Sequence, residues 1–267
     1  MLIQLATKPG SVNADNEDCA ACNPRAMVVL DGLTARTDTG CAHGVAWFAE
    51  RLATSILDHS HLDPTEALRA GILHTAGLHA RSCDLTNPAT PCAAVGIVKI
   101  DGDRLRYLAL GDVTIVIDSG TNQLAISDLR VNKTALAERA EADALPADSS
   151  DKAAALIKMK RAEIAARNTP GGYWIAAADP SAADEAITGE MPLFAVRRVA
   201  VLTDGAARAV DPFSLYSWRG ALDVLTNDGP RELISQVRAA EESDPLGKLW
   251  PRNKISDDAT VIFLDRT

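Results

Sequence analysis

Apolar residues in this chain come in short runs separated by turns, and the spacing within the runs changes along its length. "LIQLA" opens as a strand over about 2–6, and beyond a turn-rich segment holding Pro9 and Gly10, "CAACNPRAMVVLD" reads as a β-hairpin turning at Asn23-Pro24. The period then becomes helical. Val45, Phe48, Leu52 and Ile56 mark one amphipathic helix over about 41–58, and Asp63-Pro64 start a second that runs to about Ser82. From Cys92 to Asp128 the pattern returns to strands, "CAAVGIVKI", "DRLRYLAL", "VTIVID" and "QLAIS", which read as a β-meander. Residues 133–190 are rich in alanine and charge, with helical pieces over 134–143 and 151–167. The stretch "NTPGGYWIAAADPSAADEA" after them is irregular and expected at the surface. "FAVRRVAVLTDG" is again a strand, followed by helices near 212–226 and 230–241 and a closing strand in "DDATVIFLD".

Strands, two helices, strands, two helices and a strand do not make the regular alternation of a parallel sheet. The order fits an α+β fold, a four-layer α-β-β-α sandwich of two antiparallel sheets flanked by helices. It implies one domain over 1–267 with an inserted flap at about 133–190.

The bulk numbers narrow the field of functions. A content of 47% hydrophobic residues in 267 fills a sizeable core. No apolar run approaches the roughly 20 residues that cross a bilayer, and "MLIQLATKPGS" lacks the basic and apolar parts of a signal peptide, so a cytoplasmic location with no membrane partner is the expectation. With 27 basic against 36 acidic residues the net charge is −9, which disfavours nucleic acid as a partner. The five cysteines, at 19, 22, 41, 83 and 92, show no disulfide framework. Cys19 and Cys22 have the spacing of a zinc or redox pair, but no second Cys/His pair is evident at zinc-ligand spacing, and they read as small buried strand residues.

The carboxylates at strand ends carry the chemistry. "VVLDG" places Asp31-Gly32 after one apolar strand and "VAVLTDG" places Asp204-Gly205 after another; Asp257-Asp258 precede the last strand, and Glu17-Asp18 precede "CAAC". Each alone is a common turn signal. Gathered at one edge of a sandwich, they would repel one another unless hard cations lay among them. Mg²⁺ and Mn²⁺ prefer oxygen ligands, and two such ions activate water toward a phosphoryl group. The glycines would let backbone approach closely and offer a carbonyl as a further ligand.

In this order the motifs resemble the metal-dependent Ser/Thr protein phosphatases of type 2C. "TKPGSVNADNED" is similar to that family's opening motif, "VVLDG" to its metal-bridging Asp-Gly, "LGDVTIVI" to its Gly-Asp-Ser turn, and "VLTDG" and "DDATVIFL" to its last acidic motifs. The resemblance implies a phosphomonoester hydrolase acting on phosphoserine or phosphothreonine in proteins through a metal-bridging hydroxide, with two Mg²⁺ or Mn²⁺ ions. It implies Asp31 as the bridging ligand with the Gly32 carbonyl, Asp204 and Asp257 completing one site, Glu17 and Asp18 serving the second, and Asp112 with Asp204 marking a third. The same resemblance implies Asp31 and Asp204 as the catalytic pair and leaves Asp258 as a neighbour of the ligands.

Two departures stand out. The family's phosphate-gripping arginine falls on Asn13, which leaves Arg36 as the replacement to test, and the loop after Asp31-Gly32 reads Leu33-Thr34-Ala35-Arg36 without the family's histidine or glycine pair. Both favour an alternative, a pseudophosphatase with a regulatory role, whereas the full set of carboxylates argues for an active enzyme. A phosphatase for a small metabolite is a third reading. His43, His74 and His79 read as structural histidines in or beside helices, His59 and His61 as loop residues, and "GGYW" as a flap turn anchored by an aromatic.

Overall fold

The computed structural model describes residues 2–145 and 149–266; residues 146–148, inside the expected insert, lie outside the described residues. Ten strands form two five-stranded antiparallel sheets. The first runs β1 (Leu2–Lys8), β10 (Ala259–Asp265), β9 (Arg198–Leu202), β6 (Thr114–Asp118) and β7 (Gln123–Ile126). The second runs β2 (Cys19–Cys22), β3 (Ala26–Gly32), β4 (Ala93–Asp101), β5 (Arg104–Leu110) and β8 (Ile187–Pro192). The helices α1 (Gly44–Asp58) and α2 (Pro64–His79) cover the second sheet, and α6 (Trp218–Asn227) and α7 (Pro230–Ser243) cover the first.

The unbroken apolar run of β3 follows from this layering. Met27 and Val29 point between the sheets, whereas Val28 and Leu30 meet Phe48, Leu52 and Ile56 of α1. A strand covered on both faces has no polar side to alternate, so its sequence reads as continuously hydrophobic. Strand β10 is built alike, with Ile262 and Leu264 inward and Val261 and Phe263 under the helices. Asp63 caps α2 by accepting from the Thr65 amide at 3.1 Å, with Pro64 in the first turn.

Four expectations are corrected. The strands from 92 to 128 are not one meander: β4 and β5 pair in the second sheet, β6 and β7 in the first, and the chain changes sheets at Gly111-Asp112. Turn signals between apolar runs do not tell a hairpin from a crossing between layers.

The stretch after residue 168 is also not a surface flap. Tyr173, Ile175 and Ala177 are buried between the sheets, and Ala176 exchanges two backbone hydrogen bonds with Ala93 at 2.9 and 3.1 Å. The expected insert also ends on a strand, since 187–190 belong to β8 at the edge of the second sheet. That strand was concealed by its weak pattern, "ITGEMP". Finally, Cys22 is exposed and Cys19 half-buried. The helical pieces of the insert are α3 (Leu136–Asp143) and α4 (Ser150–Ala166), packed on each other.

Candidate functional site

The registers decide where the acidic residues go. Lys8 pairs with Ala259, Leu202 with Val261 and with Thr114, Gly32 with Ala93, and Leu110 with Val95. The ends of β1, β3, β5 and β9 and the starts of β2, β4, β6 and β10 therefore share one rim of the sandwich. Glu17, Asp18, Asp31, Asp112, Asp204 and Asp257 are carried to it from five separate stretches of chain.

Backbone contacts make the convergence tight. A methyl group on Gly32 would lie 2.4 Å from the Glu17 carbonyl oxygen, and one on Gly205 would lie 2.0 Å from that of Asp258. Both positions need glycine because a second strand end occupies the space. The amide of Asp204, the first residue of the short helix α5 (Asp204–Ala207), donates to Asp31 Oδ2 at 3.1 Å. Asp258 accepts from the amides of Gly10 and Glu17, each at 2.7 Å, and so ties the opening loop to the last strand.

Several orienting side chains escaped the sequence reading. Thr203 Oγ1 donates to Asp18 Oδ2 at 2.8 Å, and Thr34 donates to Glu17. Arg208, one helical turn beyond Asp204, reaches Asp257 at 3.1 Å, and Lys254 holds the other Asp257 oxygen and also donates to Thr34 at 2.8 Å. The i, i+4 spacing from Asp204 to Arg208 was a usable signal; a single lysine in a loop carries none.

The electrostatics are those of crowded, poorly compensated acids. Burial lifts the Asp31 carboxyl well above the ordinary carboxylate range, and repulsion from Asp204, Asp18, Asp112 and Asp257 lifts it further. Asp204 is raised to about 7 by burial and then by Asp257 and Asp112, against the pull of Arg208 and Lys254. Burial is also the main cause that raises Asp18, Asp112 and Glu17. Among the described residues, Asp257 is paired with Arg208 and Lys254, while Glu17, Asp18, Asp31, Asp112 and Asp204 have no ion-pair partner.

The rim opens on a cavity of about 500 Å³ lined by Asp31, Gly32, Asp112, Asp204 and Asp257 together with Thr34 and Arg36. Arg36 is half-buried there and, unlike Arg139, Lys160, Arg208, Arg252 and Lys254 in the same wall, forms no ion pair among the described residues. Asn13 is exposed, its amide bonded to Ser11 Oγ, and it does not line the cavity. No helix among the described residues is long and apolar enough to cross a membrane.

An oxygen-only donor set of crowded, repelling carboxylates, Asp18 buried and the others half-buried, has the chemistry of a site for hard divalent cations. Asp31, Asp204, Asp18 and Asp112 fit that role, since none of them forms an ion pair among the described residues. Asp257 fits it less freely, because both of its oxygens already face protein cations.

No family model matches the chain, and no curated protein does. Among solved structures, a bacterial serine phosphatase superposes with a TM-score of 0.61 at 12% identity, over 100% of this chain and 98% of that one. The Mycobacterium tuberculosis serine/threonine phosphatase PstP/Ppp gives 0.59 at 15% identity, over 99% and 97%. The catalytic domain of PstP in complex with two manganese ions gives 0.55 at 14% identity, again over 99% and 97%. The chain thus shares the fold of bacterial Ser/Thr phosphatases, the α-β-β-α sandwich that the sequence motifs implied.

Proposed function

We propose that this chain is a phosphomonoester hydrolase dependent on Mg²⁺ or Mn²⁺, acting on phosphoserine or phosphothreonine in proteins. One observation carries the reading: five acidic side chains without ion-pair partners among the described residues meet at one rim of a fold shared with bacterial serine/threonine phosphatases. Asp31 and Asp204 stand at the centre, each repelled by the other, and would hold the ions jointly. Asp18 and Glu17 extend the site on one side and Asp112 on another, with the Gly32 carbonyl as an additional oxygen. When bound, such a pair of ions lowers the pKa of water and neutralises phosphoryl oxygens.

The remaining work falls to the chain's own side chains. Thr203 and Thr34 orient Asp18 and Glu17, while Arg208 and Lys254 fix the Asp257 carboxylate. Arg36, without an ion pair among the described residues, would bind the phosphate oxygens in place of the family's arginine, whose position Asn13 takes here.

The Asp31→Asn variant is expected to lose divalent-dependent turnover of para-nitrophenyl phosphate by about 10²–10³-fold, the order seen when a transition-state electrostatic group is removed. Retained turnover would refute the assignment. A faster reaction with a phosphopeptide than with small phosphate esters identifies a protein substrate; the reverse order identifies a metabolite phosphatase.

The hold of Arg208 and Lys254 on Asp257 favours a second reading, a pseudophosphatase in which protein cations replace an ion. Titration calorimetry with Mn²⁺ separates the two, since the pseudophosphatase binds none at the rim.

A further inference from the structure

Two thiols and two imidazoles meet away from the acidic cluster, at the junction of α1 and α2. His79 is the last residue of α2, and Cys83 follows four residues later, its amide bonded to the His79 carbonyl at 3.0 Å, so both side chains face the same way. Cys41 and His43 come from the loop that leads from Gly32 into α1. Cys41 Sγ lies 3.0 Å from Cys83 Sγ and 3.5 Å from His79 Nδ1, and His43 Nδ1 lies 3.2 Å from Cys83 Sγ and 3.8 Å from Cys41 Sγ. All four ligand atoms fall within 4.8 Å of one another. A tetrahedral zinc site with Zn–S near 2.3 Å and Zn–N near 2.0 Å has edges of roughly 3.3–3.8 Å, so a small outward adjustment of the sulfurs admits the ion.

We propose that Cys41, His43, His79 and Cys83 form a closed structural site for one Zn²⁺ ion. Binding displaces the two thiol protons, and the two thiolates balance the charge of the ion. Four protein ligands leave no open coordination position, so the site holds structure and performs no hydrolysis. A disulfide would explain the approach of the sulfurs but would give neither imidazole a reason to face them. His79 is almost fully buried, and its Nδ1 has a thiol as its neighbour, while Nε2 has no partner among the described residues. His43 stacks on Trp47 at 4.3 Å, which fixes the ring that reaches Cys83. The absence of a second zinc-spaced pair, expected from the sequence, is thereby corrected: the spacing is Cys-x-His with His-x-x-x-Cys, divided between a loop and a helix end.

The consequence reaches the rim. The segment 33–43 carries Thr34 and Arg36 at one end and two zinc ligands at the other, and its Gly40 carbonyl accepts from the Asp84 amide at 2.8 Å. His43 also lines a second cavity together with Glu17, Thr34 and Asp257. The ion would clamp this loop against α2 and so steady the wall that holds Arg36.

The test uses the whole chain, purified with reductant and without chelator. Elemental mass spectrometry is expected to find one equivalent of zinc in the wild type and in an Asp31→Asn/Asp204→Asn variant, and almost none in Cys41→Ser/Cys83→Ser. Titration of the reduced, metal-free wild type with Co²⁺ is expected to give the intense visible bands of tetrahedral cobalt with a thiolate charge-transfer band, unchanged in the Asp31→Asn/Asp204→Asn variant. The cobalt spectrum stands even if the cysteine variant fails to fold. Reduced wild type that gives no thiolate band overturns the proposal, as does a zinc equivalent lost with the aspartates and kept without the cysteines. The aspartate variant keeps failure of this site distinct from failure of the acidic rim.

Discussion

This fold buries carboxylates in two contrasting ways. Away from the rim each is matched by cations. Glu241, fully buried, lies between Arg208 and Arg238 at 2.7 Å from both; Asp118 receives Arg198, Gln123 and the Gly120 amide; Asp128 is forked by Arg130 and Asp244 by Arg252. At the rim, Asp18 accepts the Thr203 hydroxyl and Asp31 the Asp204 amide, and neither these two nor Asp112 and Asp204 form an ion pair among the described residues, while burial and neighbouring acids raise all four. A chain that pairs its buried acids elsewhere leaves these to a cation from outside, and that difference is the strongest physical argument for metal binding. Breaking a buried pair leaves an unmatched charge, whereas neutralising one of several crowded acids relieves repulsion.

Single substitutions test the contrast most sharply. Glu241→Gln is expected to lower the unfolding free energy by about 3–5 kcal/mol, because it leaves Arg208 and Arg238 facing each other without their carboxylate. Asp31→Asn in metal-free buffer should instead leave stability unchanged or raised, even as it removes activity. Urea denaturation of both variants reads the sign, and a loss in Asp31→Asn as large as that in Glu241→Gln would erase the distinction.

Metal addition comes next in size. Mn²⁺ at about 100 times its dissociation constant should stabilise the wild type by about 2.7 kcal/mol at the rim. Thermal melts of Asp31→Asn/Asp204→Asn should show no such gain.

The last contrast is in pH. Asp204 in the folded state is raised to about 7, so the metal-free fold binds a proton that the unfolded chain releases near pH 4. Stability should fall as pH rises between about 4 and about 7, and Asp204→Asn should flatten that slope. Asp118 behaves oppositely: burial alone would raise it, but Gln123, the Gly120 amide and Arg198 hold it below the usual range. Its contribution is present above about pH 4 and is lost as pH falls through its folded value, which Asp118→Asn should flatten at the acid end. Equal slopes in all three proteins would show that neither group titrates as described.

How much was legible beforehand follows from the range of each interaction. The hairpin at Asn23-Pro24, the capped α2 and the doubly covered β3 and β10 are local patterns, and they fold where the sequence put them. The acidic strand ends could be read one at a time, and the layer order then brought them to one rim. What stayed hidden depends on contacts between distant segments. The crossing at Gly111-Asp112, the weak edge strand β8 and the burial of Tyr173 all arise from pairings that no local period reveals. Lys254 and the Cys41, His43, His79 and Cys83 group were missed for the same reason, being assembled from loops and helix ends.

The close backbone approaches at Gly32 and Gly205 separate the shape of the rim from its reactivity. Main chain pressed against main chain sets the outline of the rim, with the Asp258 carboxylate tying its opening loop to the last strand. Such a frame holds its outline whichever acids stand on it, so a variant stripped of Asp31, Asp112 and Asp204 keeps the shape of the rim while losing its hold on cations.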